Sequence, residues 1–534
     1  MAQKKSQAIL GQGIQATSCH CLDLEKDATH LHFESRSLLC NGKNRKGGVE
    51  ISPLSKGKLC KNLIFRIGII PAHSQFFHSF KGLKGDVNID MNKFYTFLKQ
   101  KEFRSYLSRS WAVSWPMTLI MFFEFLIGLT DIYIAGRIGK EVQAVYGFAV
   151  QLYFIFIILA NALTVGTVSV VSRLFTSGNK EELNRAVFSS YVVAAVAGAV
   201  LAAGGIFLAN DLISLLNIPE ELKPMAAPMM RIYAAGLMFH YGLINSNGIL
   251  RSCNRIKSSL KTMALVCGIN IALNFFFLFH TALGFKGIAL ATALSVSIGS
   301  LVNLAHLKKV TGGRKSLSVD LIKKMFHIGW PIGLLQVLWQ LSSMALFLIL
   351  SSLPKHTIEI LAAFSTGLRI ESAIFLPAFA FNLANAVIVG NLIGEEKREE
   401  TFKSGMVTAF IGVVIITGMA IAVILNARWI VSFLSGNVIV IEEAKQYLYI
   451  SMLSEPIMAW GIILAGGLNG AGDTRSVLLR VALSVWLIRI PLCYLFVVSL
   501  GFGAVSVWWT MNLSQLVQAF LISKRYLSRR WLSD

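Results

Sequence analysis

The chain has 534 residues, 54% of them hydrophobic and 15% charged, with a formal net charge of +22. A soluble protein of this length carries about a quarter charged residues, and here the charges fall between long apolar runs, which excludes a soluble globular fold. The basic excess sits on no soluble module and is interleaved with no aromatic face, which argues against a nucleic-acid partner.

Residues 1–90 differ from the rest. They hold four of the seven cysteines (Cys19, Cys21, Cys40 and Cys60) and show no sustained helical period. No apolar stretch follows Lys4 and Lys5, so a signal peptide is not expected. Cys19-His20-Cys21 and His30-Leu31-His32 match no standard zinc spacing. The expectation is a disordered extension, or one that precedes a true start at Met91. From there Lys93, Lys99, Lys101, Arg104 and Arg109 form a basic lead into the first apolar run.

A membrane-crossing helix needs about 20 apolar residues. The sequence supplies twelve such runs: 111–136, 142–172, 185–209, 225–250, 262–281, 284–307, 326–353, 358–393, 404–427, 445–470, 477–499 and 502–523. Barrel strands would be shorter and alternate with period two. Loops that follow even-numbered runs are rich in Lys and Arg, as in Arg251, Arg255, Lys257 and Lys261, or Lys308, Lys309, Arg314, Lys315, Lys323 and Lys324. Odd loops carry few. This positive-inside bias places the even loops and both termini in the cytoplasm.

The two halves repeat. Ser114-Trp115-Pro116 reappears as Gly329-Trp330-Pro331, and Lys180-Glu181-Glu182 as Arg398-Glu399-Glu400. Leu250 to Ser258 aligns with Leu468 to Ser476, and Leu283-Gly284-Phe285 with Leu500-Gly501-Phe502. The offsets are 215, 218, 218 and 217 residues. Each half has an even number of runs, so both enter the membrane in the same orientation, a transporter architecture with a path between the halves. The predicted fold class is all-α integral membrane, with twelve transmembrane helices in two six-helix lobes related by a pseudo-two-fold axis along the membrane normal. The lobes are expected at 91–307 and 326–523, joined by a cytoplasmic linker at 308–325 with a hinge at Gly312-Gly313. A basic tail follows at 524–534.

No GxxxxGK(S/T) phosphate loop occurs, nor HExxH or GxSxG, so neither an ATPase nor a membrane hydrolase is expected. Pumping would have to run on an ion gradient. Ionisable groups inside the membrane are costly and are functional candidates by default. They are Glu124 and Asp131 in the first span, Arg231 and His240 in the fourth, Arg369 and Glu371 in the eighth, Glu455 in the tenth and Arg489 in the eleventh. Glu124 and Asp131 are seven residues apart, on one helix face and ~10 Å along it. Asp131 either serves a site or marks the headgroup end of its span. Arg369, Glu371, Glu455 and Arg489 are candidates for substrate contact or for pairing with one another. Arg231 is able to snorkel, and a lone His240 is ordinarily satisfied by packing. Asn270 and Asn274 lie one turn apart, where amides serve a carboxylate or a cation, or simply glue helices.

These residues resemble the multidrug and toxic compound extrusion (MATE) family over about 105–530. The resemblance is carried by Trp115-Pro116 with the stretch TDIYIAGRIG around Asp131, LRSCNRIKS at 250–258 and GINIALN at 268–274. GFKGIALAT at 284–292, AGGLNGAGDTR at 465–475 and RIPL at 489–492 complete it. It implies a proton or cation site in which Asp131 works with Asn270 and Asn274 of the fifth span and Thr292 of the sixth. Some members carry Asp where Asn274 stands, so this site has one negative charge fewer. Trp339 and Gln340 stand where some members have an acid, and Glu455 lies about a turn early for the family's span-ten acid. Glu124 is outside the family pattern, and it is counted here with the coupling residues.

The resemblance implies a monomeric antiporter of the plasma (inner) membrane, not an enzyme. It would export amphipathic, often cationic, drug-like molecules in exchange for protons or sodium ions. No cofactor is expected, and no metal beyond a coupling sodium ion at Asp131. A flippase for lipid-linked sugars is the alternative; it calls for a strongly cationic cavity, for which Arg231, Arg369 and Arg489 are available. N-terminal sequencing of the native protein is expected to begin at Met91, and peptides from 1–90 would refute that start.

Overall fold

The computed structural model describes residues 101–215, 219–312 and 316–532. The expectations for residues 1–90 and for Gly313 as part of a hinge lie outside this range. The first half contains α1 (Lys101–Ile138), α2 (Lys140–Thr176), α3 (Lys180–Phe207), α4 (Lys223–Ser252), α5 (Ile256–His280) and α6 (Phe285–Lys308). The second contains α7 (Val319–Ser351), α8 (Thr357–Gly394), α9 (Arg398–Leu434), α10 (Val438–Gly470), α11 (Thr474–Ser499) and α12 (Ala504–Leu527). No strand occurs among the described residues.

The shortest of these helices, α6 and α12, have 24 residues each and so reach about 36 Å, enough to cross a hydrocarbon core of about 30 Å. Ten of the twelve are long and apolar enough by composition to span a membrane. The other two, α4 and α12, are diluted by polar side chains: Asn245, Asn247 and Arg251 on one, Asn512, Gln515 and Gln518 on the other. All six are buried. They face protein rather than lipid, so both helices complete the twelve-span bundle without exposing polar groups to hydrocarbon.

The backbone repeats as the sequence does. Left-handed residues close equivalent turns: Gly178 (φ 80°) and Glu396 (φ 59°), Asn254 (φ 54°) and Gly472 (φ 81°), Gly284 (φ 53°) and Gly501 (φ 68°). The last two pairs sit at the offsets 218 and 217 read from the motifs. In the turn between α4 and α5 the Arg255 N–H donates to the Leu250 carbonyl at 2.8 Å, and between α10 and α11 the Asp473 N–H donates to the Leu468 carbonyl at 2.9 Å. A non-glycine residue in this region bears a steric cost, so Asn254 and Glu396 hold positive φ because the turn demands it.

Local chemistry sets several boundaries. Ser318 caps α7, its hydroxyl accepting from the Leu321 N–H at 3.5 Å, and Asp320 in the first turn suits the helix dipole. That helix therefore starts at Val319 and not at 326, and the linker shortens from the expected 308–325 to 309–318. In α11, Pro491 has no N–H to give the preceding turn. The backbone widens into π-helical segments at Leu483–Arg489 and Leu495–Ser499 on either side of Ile490–Tyr494.

The six-helix lobes meet tightly at the end of the bundle that carries the basic loops. There α2 packs on α7 and α8, and α8 packs on α1 and α2. A Cβ on Gly166 would lie 2.0 Å from the Met325 carbonyl oxygen, and one on Gly329 would lie 2.4 Å from that of Ala162. Polar bonds cross the seam: the Ser169 hydroxyl donates to the Gly470 carbonyl at 3.0 Å and the Thr176 hydroxyl to that of Asn391 at 2.7 Å. The Arg173 guanidinium donates to the Ala471 carbonyl.

Toward the other end the same helix faces part. On α8, Ala380, Ala384 and Val387 pack with Met117, Ile120 and Val168 of the first lobe. Three turns further along that face Arg369 is exposed, and after three more Ile358 is 80% exposed. On α2, Ala162 touches the other lobe, while Gln151, three turns away on the same face, is exposed. The bundle is thus closed at its basic end and open as a cleft at the other. Gly166→Ile is expected to pry the seam apart. A cysteine placed at Ser169 should then react faster with an impermeant maleimide from the basic-loop side, and an unchanged rate would refute the seam.

Candidate functional site

Asp131 lies two turns before the end of α1 and is 3% exposed. Asn270 and Asn274 project from α5 on one face, and Thr292 from the second turn of α6. The Asn274 amide donates to one carboxylate oxygen of Asp131 at 2.7 Å, and the Thr292 hydroxyl donates to the other at 2.8 Å. The Asn270 amide in turn donates to the Thr292 hydroxyl at 3.1 Å. The Asn274 amide also reaches the Asn270 side-chain oxygen at 3.2 Å and its backbone carbonyl at 3.1 Å. All four residues are buried. The spacing of Asn270 and Asn274 therefore serves a carboxylate rather than only gluing helices, and Asp131 is buried within its lobe.

The walls around this set are apolar and aromatic: Ile134, Ala135, Tyr146, Tyr233, Ile288 and Ala289 belong to one packed cluster. Among the described residues no Lys, Arg or His comes within ion-pair distance of Asp131. A buried anion with hydrogen bonds but no counter-charge is costly. The site is chemically fit to accept a proton or a small cation. Two polar atoms near it have no partner, the Asn274 side-chain oxygen and the Tyr233 hydroxyl, and the former is a ready cation ligand. No group of three or more His, Cys, Asp or Glu side chains comes together among the described residues, so a sodium ion here would rely on one carboxylate and neutral oxygens.

Glu124 is not part of this hydrogen-bonded set. Two turns along α1 from Asp131, it is surrounded by protein yet open to solvent. The charge it feels is that of Arg251, which sequence analysis placed among loop residues. The structure corrects this: Arg251 is in the last turn of α4, 7% exposed. Its Nε donates to the Asn247 carbonyl at 3.1 Å and its Nη1 rests 3.6 Å from the Met117 sulfur. A basic residue at a span boundary gives no sequence signal that would tell these two placements apart.

The second lobe holds a separate charged cluster. Glu371 on α8, Glu455 on α10 and Arg489 on α11 are all buried. Glu371 accepts from the Tyr447 hydroxyl and lies beside Glu455. The Arg489 Nε donates to the Ser514 hydroxyl at 2.7 Å, and its guanidinium sits 5.4 Å from the Trp339 ring centre. Neither Glu455 oxygen nor the Arg489 Nη2 has a hydrogen-bond partner. Two carboxylates against one guanidinium leave a net negative charge unless a proton or cation joins them. Sequence reasoning found the three charges but missed Tyr447 and Ser514, which lie in runs without any distinguishing pattern. Arg369, two residues before Glu371, points away and is exposed. His240 is held by the Tyr153 hydroxyl at 2.6 Å, and Arg231 is exposed.

The family model described as MatE matches this chain twice, over residues 116–276 and 331–495. The chain belongs to the MATE family. The two matches begin at Pro116 and Pro331, the prolines of the internal repeat. MATE proteins are membrane transporters, not enzymes, and that holds for this chain. Curated relatives include the uncharacterized transporter YisQ of Bacillus subtilis, 22% identical over 434 residues, covering 79% of this chain and 94% of the relative. The probable multidrug resistance protein NorM of Bradyrhizobium diazoefficiens is 25% identical over 437 residues, covering 78% of this chain and 92% of that one. Among solved structures, a mutant of the Vibrio cholerae MATE transporter VcmN matches with a TM-score of 0.75 at 18% identity, covering 82% of this chain and 100% of the other. That likeness concerns the fold, two six-helix lobes in both proteins.

Removing one partner of a buried ion cluster costs about 3–5 kcal/mol. Arg489→Met is therefore expected to lower the melting temperature of the detergent-purified protein clearly, whereas Asp131→Asn, at a site without a counter-ion, leaves it close to that of the unaltered protein. Equal melting of the two variants would contradict the described ion cluster.

Proposed function

We propose that this MATE transporter is a secondary active antiporter of the plasma membrane, exporting amphipathic, often cationic, organic compounds in exchange for protons or sodium ions. Its basic loops and both termini face the cytoplasm, and it works as a monomer. The observation that carries this reading is Asp131: a buried carboxylate given two donors and, among the described residues, no counter-ion. The relatives named as multidrug resistance proteins support the substrate class, and the basic loops at one end support the orientation.

With the basic end inside, the cleft opens outward. A proton or sodium ion arriving through it neutralises Asp131. The carboxylate then holds the Asn274 amide and Thr292 hydroxyl less strongly, because hydrogen bonds to an ionised acceptor are the stronger kind. The contact of α1 with α5 and α6 loosens. The same helix packs through Met117 and Ile120 against Ala380 and Ala384 of α8, so a change in its seating bears directly on the seam that closes the inner end. The ion drives transport only because it binds one arrangement of the lobes better than the other. Arg489 is buried inside its lobe, which leaves a lipid-linked-sugar flippase only Arg231 and Arg369 for the strongly cationic cavity it needs.

The test is dye efflux from everted vesicles with the proton and sodium gradients collapsed separately. Collapse of one gradient should stop efflux and so name the ion. Asp131→Asn should reduce gradient-driven efflux to the level of empty vesicles while the protein remains folded in the membrane. Undiminished efflux in that variant would refute the assignment.

A further inference from the structure

Two charges of the cleft remain outside both buried clusters. Glu124 follows Ile120 by one helical turn on α1, and Ile120 is 1% exposed where it packs with Ala380 and Ala384 of the opposite lobe. Glu124 stands one turn outward of that contact, accessible to solvent and without hydrogen-bond or ion-pair partner among the described residues. It marks the floor of the cleft. Arg369 lies on the face of α8 that carries Ala380, three turns further out, and its guanidinium is equally exposed and unpartnered among the described residues. It stands on the cleft wall. Measured from the shared packing level of Ile120 and Ala380, the glutamate is four residues out and the arginine eleven. They are thus offset by seven residues of rise, about 10 Å along the bundle axis.

A carboxylate at mid-membrane depth is too costly to be lipid-facing, and nothing in the structure neutralises it by contact. The nearest charge it feels is Arg251, whose Nη1 is seated on the Met117 sulfur at 3.6 Å instead. Glu124 is therefore a free acceptor at the bottom of a pocket, and Arg369 a free donor near its mouth. The helix that carries Glu124 and its neighbour expose apolar side chains, Phe125 on α1 and Ile155 on α2.

Resting on the transporter reading above, we propose that the cleft is a dipolar binding site selecting amphipathic zwitterions. The substrate's ammonium or other organic cation sits at Glu124 and its carboxylate reaches Arg369, with the apolar body between. This separates Glu124 from ion coupling, which belongs to Asp131, and makes it and Arg369 the specificity-determining pair. A molecule carrying only positive charge would gain the floor contact but meet an uncompensated arginine on the way in, and like-charge juxtaposition of that kind discriminates between ligands.

The experiment compares two dyes in proteoliposomes: a rhodamine with a free carboxylate, which is a zwitterion, and its ethyl ester, which is a cation. KM is measured for the unaltered protein, Glu124→Gln and Arg369→Gln, with direct dye binding to the detergent-purified proteins in parallel. The unaltered protein should prefer the free acid. Glu124→Gln should raise KM for both dyes on the order of tenfold, as expected for loss of a charged hydrogen bond. Arg369→Gln should raise it for the free acid alone, reversing the preference. Glu124→Asp, which keeps the charge, should retain most of the affinity and so separates charge from folding. Arg369→Gln moving both KM values equally, or Glu124→Gln moving neither, overturns the proposal while leaving the transporter reading intact. Vesicles of unaltered protein that carry neither dye take down both.

Discussion

The structure depends on a buried carboxylate that no cation balances among the described residues. Asp131 is held by an amide and a hydroxyl from two other helices, in a pocket whose remaining walls are apolar or aromatic. Both bonds run to the ionised form, so they tie α1 to α5 and α6 for as long as the charge is present. Neutralisation weakens both at once. A salt bridge in the same place would be satisfied in every state of the molecule and would lock it. On the proposed reading, the absence of a cation among the described neighbours is what leaves this pocket responsive to an ion from outside.

How such a local change reaches the rest of the molecule follows from the length of α1. One stretch of that helix carries Asp131; a stretch three turns away carries Ile120 and Met117, which are wedged against α8 of the other lobe. The seam beside them has almost no slack. Gly166 and Gly329 each leave backbone against backbone, a spacing that any side chain would disrupt, so the seam is either closed in full or open. Packed interfaces of this type switch between discrete arrangements rather than deforming gradually. In the proposed mechanism a modest reseating of α1 is thus converted into a choice between two positions of the lobes.

Most of the fold was legible in the sequence because the membrane makes only a few structures possible. Apolar runs of about 20 residues must be helices, and the recurrence of Trp-Pro and Leu-Gly-Phe at nearly constant offset required two equivalent halves. Left-handed Asn254 and Gly472 fall at that offset, although their side chains share nothing. The Asp131 pocket was legible only with the family pattern in hand, since spacing alone left both Asp131 and the asparagines with ordinary alternatives. Arg251 was misplaced because a basic residue at the end of a span looks the same whether it turns into the loop or back into the bundle. Tyr447, which holds Glu371, and Ser514, which receives Arg489, were illegible for a different reason: their importance arises from contacts between helices far apart in the chain. The early start of α7 was missed because Ser318 and Asp320 cap it within a stretch whose composition reads as linker.

The duplication preserved the backbone and not the chemistry, and that asymmetry has consequences. At the offsets of the repeat, Asp131 corresponds to Leu346, Asn270 and Asn274 to Ile488 and Leu492, and Thr292 to Trp509. Conversely, Glu455 corresponds to Leu237, Arg489 to Ile271 and Tyr447 to Met229. None of these side chains recurs in the other lobe, although Ser514, which receives Arg489, corresponds to Ser297. Had both lobes carried the same ionisable pocket, an ion would act on each alike and favour neither direction of rocking. With a lone carboxylate in one lobe and a partly compensated cluster in the other, neutralisation changes the internal bonding of the first while the second keeps its guanidinium, its aromatic support and its Tyr447 bond. On the proposed reading one lobe then responds and the other serves as the rigid body it moves against, which is what a shared seam between two otherwise equivalent bundles needs if ion binding is to have a directed result.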